Sequence, residues 1–269
     1  MSFDVGDHLD AVTEMVREAS VLSLEWFRRP MDVENKGTGV ATDAAISRFD
    51  PVTAADRAVE DALRSALAQR FPNHEIMGEE RGTTGSGDHR WVIDPIDGTR
   101  AFIAGQPLWG TILGLQRGDE VIAGWLHQPT LNHTYVGTSA GASLSEGGQM
   151  GPIHTSAVTR LEDAIVLCTH PDMFKGTDVE RWQRIEQRAR LTRFGGDCVN
   201  YGYLASGYAD LVIECGLEPY DVIPLIPIVE AAGGIITGLD GQPPLEGGWA
   251  IAGATAELHA SALTALHGD

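Results

Sequence analysis

Hydrophobic residues recur at helical spacing in the first quarter of this chain. One stripe runs through residues 5–29 and stops at Pro30; its members are Leu9, Val12, Met15, Ala19, Leu22 and Trp26. A second stripe predicts a helix from about Thr53 to Gln69. Between the two, the polar and glycine-containing residues 31–50 predict a mobile loop.

Shorter apolar runs predict strands in the rest of the chain. The first set of strands covers residues 74–78, 90–94, 111–116, 120–127 and 133–139. Two stretches rich in Gly and Ser, residues 81–89 and 145–152, predict loops. From about residue 160 strands and helices alternate. The strands there are 163–170, 191–194, 209–214 and, as the last one, 234–241, and the helices are 177–189, 199–207, 221–234 and 257–267.

This order of elements predicts an α/β protein of the α+β type, built as a layered sandwich. Pro224 and Pro227 require the helix over residues 221–234 to kink or to begin near them. We expect one domain over residues 1–269. A boundary near residue 155 would divide it into halves 1–155 and 156–269, although no change in composition marks it.

The net charge of the chain indicates which kinds of partner it can bind. The 38 acidic residues outnumber the 19 basic ones, which gives a net charge of −19. A field of this sign repels nucleic acids and anionic membrane surfaces, so we expect neither as a partner. Lys36 and Lys175 are the only lysines. An anionic substrate would therefore need a positive charge that the protein brings in from outside.

The cysteines and the N-terminus indicate the compartment. Cys168, Cys198 and Cys215 lack redox or metal-binding spacing, and we interpret them as buried, unpaired thiols. No apolar run of about 18 residues is present, and the first residues lack the basic and apolar regions of a signal peptide. These features predict a cytoplasmic protein.

The stretch WVIDPIDGTRAF, residues 91–102, contains the candidate chemistry. The apolar residues 91–93 predict the end of a buried strand, which places Asp94 where strand meets loop. The proline and glycine that follow favour a tight turn in which Asp94, the Ile96 carbonyl and Asp97 point into one space. Two carboxylates held this close repel each other unless one is protonated or a cation lies between them.

Mg²⁺ fits such a site because it needs few protein ligands and shares its coordination with substrate phosphate. Thr99 begins a predicted helix, so the amides of Gly98 and Thr99 would offer a phosphate site at its N-terminus. The alternative is a turn in which Asp94 and Asp97 only cap that helix. The D-x-x-D spacing alone does not separate the two interpretations.

Further acidic residues lie at the ends of predicted elements. Glu79 and Glu80 follow a short strand, and we expect one of the pair to be solvated. Asp221 opens a predicted helix, where an ordinary N-cap is the alternative interpretation. Thr53 and Asp56 have the spacing of a capping box. Each signal is weak singly, and their conjunction favours a metal site.

In this order the motifs DPVTAAD, GEE, DPIDGT and YDVIPLIPIVEAAGG resemble those of the inositol monophosphatase superfamily of Mg²⁺-dependent, lithium-sensitive phosphatases. The resemblance extends from about Lys36 to Gly241. It implies an αβαβα layered sandwich, usually a homodimer. It also implies hydrolysis of a phosphate monoester by a metal-activated water, without a phospho-enzyme.

The resemblance further implies roles for individual residues. The implied ligands of about two to three Mg²⁺ ions, for which Mn²⁺ can substitute, are Glu79, Asp94, the Ile96 carbonyl, Asp97 and Asp221. Thr99, polarised by Asp56, would activate a metal-bound water, with Glu79 as a further catalytic residue. Asp97 and the amides of Gly98 and Thr99 would hold the phosphate. Two features depart from the family pattern: the loop between Lys36 and Asp50 is longer, and Pro224 replaces a small residue.

Within the superfamily, residues 91–115 and 193–214 resemble the histidinol-phosphate phosphatases most. Arg100, Trp109 and the run Gly195–Cys198 carry this likeness. Histidinol phosphate bears an amine and an imidazole, so carboxylates should face it as well as metals.

Three residues are therefore candidates for contacting the substrate. Glu214 and Asp197 could accept hydrogen bonds from its cationic groups, each worth about 1.5–3 kcal/mol. For Asp197 the alternative is a structural acid bonded to local amides. Arg193 could also contact the substrate, and a surface arginine at a strand end is the alternative.

Other functions stay open at this point. Inositol offers only hydroxyls, which Glu214 could bind equally well, so an inositol or sugar phosphatase remains an alternative. A nucleotide 3′-phosphatase would need basic residues for a second phosphate, and the two lysines disfavour it. A non-catalytic, metal-binding regulatory protein on this scaffold would have lost a ligand or Thr99, and every expected position is occupied.

Overall fold

A computed structural model describes residues 4–29, 34–35, 51–52 and 54–268. The α-helices are α1 (Leu9–Val21), α2 (Ala54–Arg70), α3 (Thr99–Ile103), α4 (Thr177–Glu186), α5 (Val199–Ala205), α6 (Pro219–Val222), α7 (Ile226–Ala231) and α8 (Ala256–His267). Short 3₁₀ helices cover Val5–His8, Leu22–Glu25, Leu161–Asp163, Pro171–Met173 and Ile223–Leu225.

The strands form three sheets. They are β1 (Glu34–Asn35), β2 (Pro51–Val52), β3 (Glu75–Gly78), β4 (Gly82–Thr84), β5 (His89–Asp97), β6 (Gly110–Arg117), β7 (Glu120–Gln128), β8 (His133–Thr138), β9 (Gly141–Glu146), β10 (Gln149–Pro152), β11 (Ile165–Cys168), β12 (Leu191–Phe194), β13 (Leu211–Leu217), β14 (Ile235–Thr237) and β15 (Gly248–Gly253). Strands β1 and β2 pair only with each other.

The N-terminal predictions are confirmed where the structure describes them. The stripe over residues 5–29 forms a 3₁₀ turn, α1 and a second 3₁₀ turn, and the second stripe forms α2. The predicted loop over residues 31–50 lies mostly outside the described residues, and within it residues 34–35 form β1. Lys36 and Thr53, which the sequence analysis singled out, also lie outside the described residues.

The large sheet has eight strands in the order β10-β9-β8-β7-β6-β5-β3-β4. Neighbours are antiparallel except β3 and β5, which are parallel. The five strands predicted before residue 140 are confirmed, but the two predicted loops are partly wrong. Residues 81–89 contain β4, and residues 145–152 contain the end of β9 and all of β10. Both missed strands lie at sheet edges and are short and mostly exposed, so no buried apolar alternation marks them.

The smaller sheet has the order β12-β11-β13-β15-β14. Strand β11 is parallel to β12 and β13, whereas β15 is antiparallel to β13 and β14. The prediction that the strand within residues 234–241 is the last one is wrong, because β15 follows it and occupies an interior place. The sequence GWAIAG of β15 is composed mainly of Gly and Ala, which are poor strand formers.

Five layers stack through three large apolar clusters. Helices α1 and α2 cover one face of the large sheet, against Trp91 and Trp125. Helices α5 and α7 lie between the two sheets, where Leu126 of β7 and Val212 of β13 share one cluster. Helices α4 and α8 cover the outer face of the small sheet, against Ile251. The predicted αβαβα sandwich is therefore confirmed.

The large sheet ends at Pro152 and the small sheet begins at Ile165, on either side of the boundary predicted near residue 155. The cluster shared by both sheets crosses that boundary. The division into halves stays a prediction.

The predicted helix over residues 221–234 is broken into three pieces, α6, the 3₁₀ turn Ile223–Leu225 and α7. Its prolines cause the break because proline cannot donate to a continuous helical ladder. The broken segment lies on a row of glycines that are neighbours in register, Gly114, Gly124 and Gly137. A Cβ on Gly124 would lie 2.0 Å from the Pro224 carbonyl oxygen, so only bare backbone allows this approach.

The three cysteines are buried and unpaired, as predicted. None of the described helices combines the length and apolarity that a bilayer-spanning segment requires. The cytoplasmic location and the homodimer stay predictions.

Candidate active site

A bulge in β5 brings Asp94 and Asp97 to the same side of the sheet. Asp94 lies opposite Ile112 of β6 and Asp97 lies opposite Gly110, so three steps along β5 face two along β6. In a regular strand, residues three apart point to opposite faces, and one extra residue reverses this relation. The prediction that the strand ends at Asp94 is therefore wrong, because β5 continues through the bulge to Asp97.

Hydrogen bonds hold the bulge in place. The Thr111 hydroxyl donates to the Pro95 carbonyl at 2.7 Å. The Ile96 amide donates to Asp94 Oδ1 at 3.0 Å, and the Thr99 hydroxyl donates to the Ile96 carbonyl at 3.0 Å. The bulge and the start of α3 are therefore one continuous bonded unit.

Thr99 begins a helix, as predicted, and Gly98 is its N-cap with a φ of 91°. A Cβ at residue 98 would lie 2.9 Å from the Leu108 carbonyl oxygen, so both the conformation and the space favour glycine.

Asp221 supplies a third carboxylate from a distant part of the chain. It is the third residue of α6 rather than its first or its N-cap, which corrects the prediction that it opens the helix. Its Oδ2 accepts from the Glu218 amide at 2.8 Å. Carboxylate oxygens of Asp94, Asp97 and Asp221 lie within 4.8 Å of one another. Across residues 4–29 and 54–268, these three form the one group of acidic, His or Cys side chains with this spacing.

The three carboxylates are electrostatically crowded. Burial, and then the nearby charges of Glu79, Asp97, Asp221 and Asp56, raise the pKa of Asp94 well above its usual range. Burial and the charges of Asp197 and Asp221 likewise raise the pKa of Asp97. Burial raises the pKa of Asp221 to about 7. Without a cation the cluster therefore retains protons, whereas a dication would favour its ionised form.

The other predicted acids of the site come from α2 and from the turn after β3. Asp56 lies in the first turn of α2 and is 1% exposed. Glu79 follows Gly78, and its amide donates to the Ile93 carbonyl at 3.2 Å. The expectation that one of the two glutamates is solvated does not hold for Glu80, and Glu79 is half-buried. The Glu80 side chain is 4% exposed, with Oε2 3.7 Å from Arg57 Nε.

The chain matches the inositol monophosphatase family over residues 7–268. It belongs to this family.

Individual relatives agree with the family match. Bifunctional phosphatase IMPL2 of Arabidopsis thaliana, a chloroplastic protein, is 36% identical over 242 residues, which are 88% of this chain and 64% of that protein. The chain thus spans less than two thirds of that relative's length. A histidinol-phosphatase of Chlorobaculum parvum is 31% identical over 229 residues, 84% of this chain and 83% of the relative.

A solved structure gives the same result. An inositol monophosphatase from Zymomonas mobilis superposes with a TM-score of 0.83 at 32% identity, covering 99% of this chain and 100% of that one. The protein is therefore a phosphatase of the inositol monophosphatase family, and its acidic cluster suits the metal dependence of that family.

Two of the three predicted substrate residues of this phosphatase lie beside the cluster. Asp197 and Glu214 both raise the pKa of Asp97. Glu214 is buried, and its carboxylate accepts from the Thr169 amide at 3.1 Å, from the Thr169 hydroxyl and from the Tyr201 hydroxyl at 3.0 Å.

Asp197, unlike Glu214, has a backbone conformation that is uncommon for a residue other than glycine. Its φ is 46°, a left-handed conformation that Asp tolerates better than most residues. Burial and the charge of Glu214 raise its pKa to about 7, against the opposing effect of Arg100.

Arg193 is exposed on β12, the edge strand of the small sheet, and its role as a substrate contact stays a prediction.

Sequence reasoning missed a donor to the cluster. The Cys198 amide donates to Asp97 Oδ1 at 2.7 Å. This contact joins the loop after β12 to the bulge in β5. A backbone amide that acts as a donor has no sequence signature, because every residue except proline has one.

Proposed function

We propose that this phosphatase hydrolyses L-histidinol phosphate to L-histidinol and phosphate, with Mg²⁺ as its cofactor. The observation that carries the proposal is the pairing of two acidic groups, the cluster of Asp94, Asp97 and Asp221 and, next to it, Asp197 with Glu214. The first group suits a hard dication, and the second suits the cationic end of the substrate.

The residues proposed to hold the metal ions are Glu79, Asp94, the Ile96 carbonyl, Asp97 and Asp221. All are oxygen donors, which Mg²⁺ and Mn²⁺ accept. When bound, the dication supplies Lewis-acid chemistry: it lowers the pKa of water and neutralises phosphate charge.

The chain's own groups orient the reaction. We propose that the Gly98 and Thr99 amides and Asp97 hold the phosphate at the start of α3. The Thr99 hydroxyl donates to the Ile96 carbonyl in the structure. In the loaded site we propose Asp56 as the acceptor of that hydroxyl, so that Thr99 can orient or deprotonate the attacking water. We propose Glu79, whose charge acts on Asp94, as the further catalytic residue of this set.

Asp197 is the group that distinguishes between substrates. Glu214 is already engaged by three donors from Thr169 and Tyr201, so its carboxylate has little remaining capacity for a ligand. The charge of Asp197 is disfavoured by Glu214 and by burial. An ammonium or imidazolium group would relieve both effects, whereas a polyol hydroxyl would not.

The alternative is an inositol-1-phosphatase. The likeness to the Zymomonas mobilis inositol monophosphatase supports it, since that structure aligns over nearly the whole chain. The Asp197 carboxylate can accept hydrogen bonds from hydroxyls as well as from cations.

The deciding experiment compares kcat/KM on histidinol phosphate and on inositol 1-phosphate with saturating Mg²⁺. We expect at least a tenfold preference for histidinol phosphate, because one charged hydrogen bond contributes about 1.5–3 kcal/mol. Asp197→Asn should reduce this preference by lowering kcat/KM for histidinol phosphate selectively. A preference of the wild type for the inositol ester would overturn the assignment.

A further inference from the structure

Glu60 is a fully buried carboxylate that accepts hydrogen bonds from the turn carrying Glu79. It lies on α2, one helical turn after Asp56, and is 0% exposed. Its Oε2 accepts from the Glu80 amide at 2.7 Å, and its Oε1 accepts from the Arg81 amide at 3.1 Å. Both donors belong to the residues that directly follow Glu79.

Gly78 makes the space for this carboxylate. A Cβ at residue 78 would lie 2.3 Å from Glu60 Oε1 and 2.9 Å from an Arg64 nitrogen. A Cβ atom does not approach other heavy atoms this closely, so any other residue at position 78 would displace the ends of the Glu60 and Arg64 side chains. Glycine directly before Glu79 thus leaves the space that the Glu60 carboxylate occupies.

Arg64 completes the arrangement around Glu60. Its Nε donates to Glu60 Oε1 at 2.7 Å, which compensates the buried charge. The same guanidinium donates to the Thr84 hydroxyl at 2.9 Å and to the Gly82 carbonyl, both in β4. Arg64 also donates to the Ile76 carbonyl of β3 at 3.4 Å, so it contacts both strands beside the turn.

The side chains that follow Glu79 in the turn also pair with α2. Arg81 forms two hydrogen bonds with Asp61, at 2.9 and 2.7 Å, and Glu80 lies 3.7 Å from Arg57. The charge of Glu79, in contrast, acts on Asp94 and raises its pKa. One face of α2 thus holds the rest of the turn while Glu79 faces the acidic cluster.

We propose that Glu60 is a positioning residue that holds the turn Glu79–Arg81 so that Glu79 reaches the metal site. The proposal rests on the proposed function, because it assumes that Glu79 is a metal ligand. Groups that orient a ligand typically contribute about 10- to 100-fold in metal affinity. Since Asp56 lies one turn earlier on α2, this helix would position both Glu79 and the partner of Thr99.

The test uses two variants that disturb the same carboxylate by different means. Glu60→Gln replaces one of its acceptor oxygens by a donor, and Gly78→Ala pushes it away without changing its charge. Asp61→Asn is the matched control, because it weakens the solvent-exposed pair between Asp61 and Arg81 on the same turn, which contributes little to stability, and leaves the Glu60 carboxylate unchanged.

Two measurements apply to each protein: Mn²⁺ binding to the metal-free form by electron paramagnetic resonance, and the Mg²⁺ concentration for half-maximal hydrolysis. We expect both Glu60→Gln and Gly78→Ala to weaken Mn²⁺ binding and raise the Mg²⁺ requirement about 10-fold or more. Activity should recover at high Mg²⁺, and Asp61→Asn should behave as wild type. Recovery of this kind separates positioning from a general loss of structure.

Wild-type Mn²⁺ affinity in folded Glu60→Gln or Gly78→Ala would overturn the positioning role. If Glu60→Gln does not fold, Gly78→Ala decides alone. Absence of Mn²⁺ uptake by the wild type would instead overturn the proposed function, so the two failures are distinguishable.

Discussion

Two groups of carboxylates in this protein differ in what surrounds them. The bonded acids, which are Glu60, Asp210 and Glu214, receive two or more donors each from the protein. Asp210, for example, accepts from the Ser156 hydroxyl at 2.5 Å and the Ile165 amide at 2.7 Å. The crowded acids, which are Asp94, Asp97 and Asp221, lie within 4.8 Å of one another instead.

The number of donors around each carboxylate distinguishes acids with a structural role from acids that require a bound cation. A buried charge costs several kcal/mol unless donors or opposite charges compensate it. The donors recorded for the crowded acids are single amides, from Ile96, Cys198 and Glu218. These are too few for three carboxylates in one place, and their raised pKa values reflect this. A bound dication would supply the missing compensation.

The largest effect should come from a crowded acid. We expect Asp94→Asn to lower kcat by at least about 100-fold, because loss of a metal ligand removes several kcal/mol of transition-state stabilisation. In EDTA its free energy of unfolding should not fall, since the amide oxygen can still accept from Ile96 and a neutral amide avoids the cost of either protonating or charging a crowded carboxyl group. Phosphate release and denaturant unfolding measure the two quantities. Wild-type turnover by this variant would show that Asp94 is not a ligand.

The same substitution in a bonded acid should have a smaller effect, and it should lower the stability of the protein rather than its kcat. Asp210→Asn replaces two charge-assisted hydrogen bonds by neutral ones, so the free energy of unfolding should fall by about 1 kcal/mol. Its kcat should equal that of the wild type, because the Asp210 side chain accepts from Ser156 and Ile165 at the start of the small sheet and is not part of the acidic cluster. Denaturant unfolding and steady-state kinetics test this. A large loss of kcat with unchanged stability would contradict the comparison.

Much of the fold could be predicted from the sequence, because α1, α2 and the central strands have clear apolar patterns. The hairpin β9–β10 was missed although a signal was present. Gly147 and Gly148 both have positive φ, as a two-residue hairpin turn requires. Strand β15 had no comparable signal, since its Gly and Ala residues carry little strand preference.

The residues of the acidic cluster could be predicted from the sequence, but the way in which they come together could not. The spacing of Asp94 and Asp97 indicated a pair, yet their common direction depends on a bulge that the pairing with β6 fixes. The approach of Asp221 depends on the glycine row beneath Pro224. Glu60 lies on the buried face of α2, and only the folded turn after β3 shows what it bonds. Such tertiary relations have no local sequence pattern.

Calorimetric titration of Mg²⁺ into the metal-free protein tests the requirement for a dication most directly. Metal ligands bind as ionised carboxylates, and Asp221, with a pKa raised to about 7, is mostly protonated at about pH 6 and mostly ionised at about pH 8. Titrations in buffers of different ionisation enthalpy should show saturable uptake with proton release, larger at the lower pH. Absence of uptake, or uptake that releases no protons at either pH, would contradict the account.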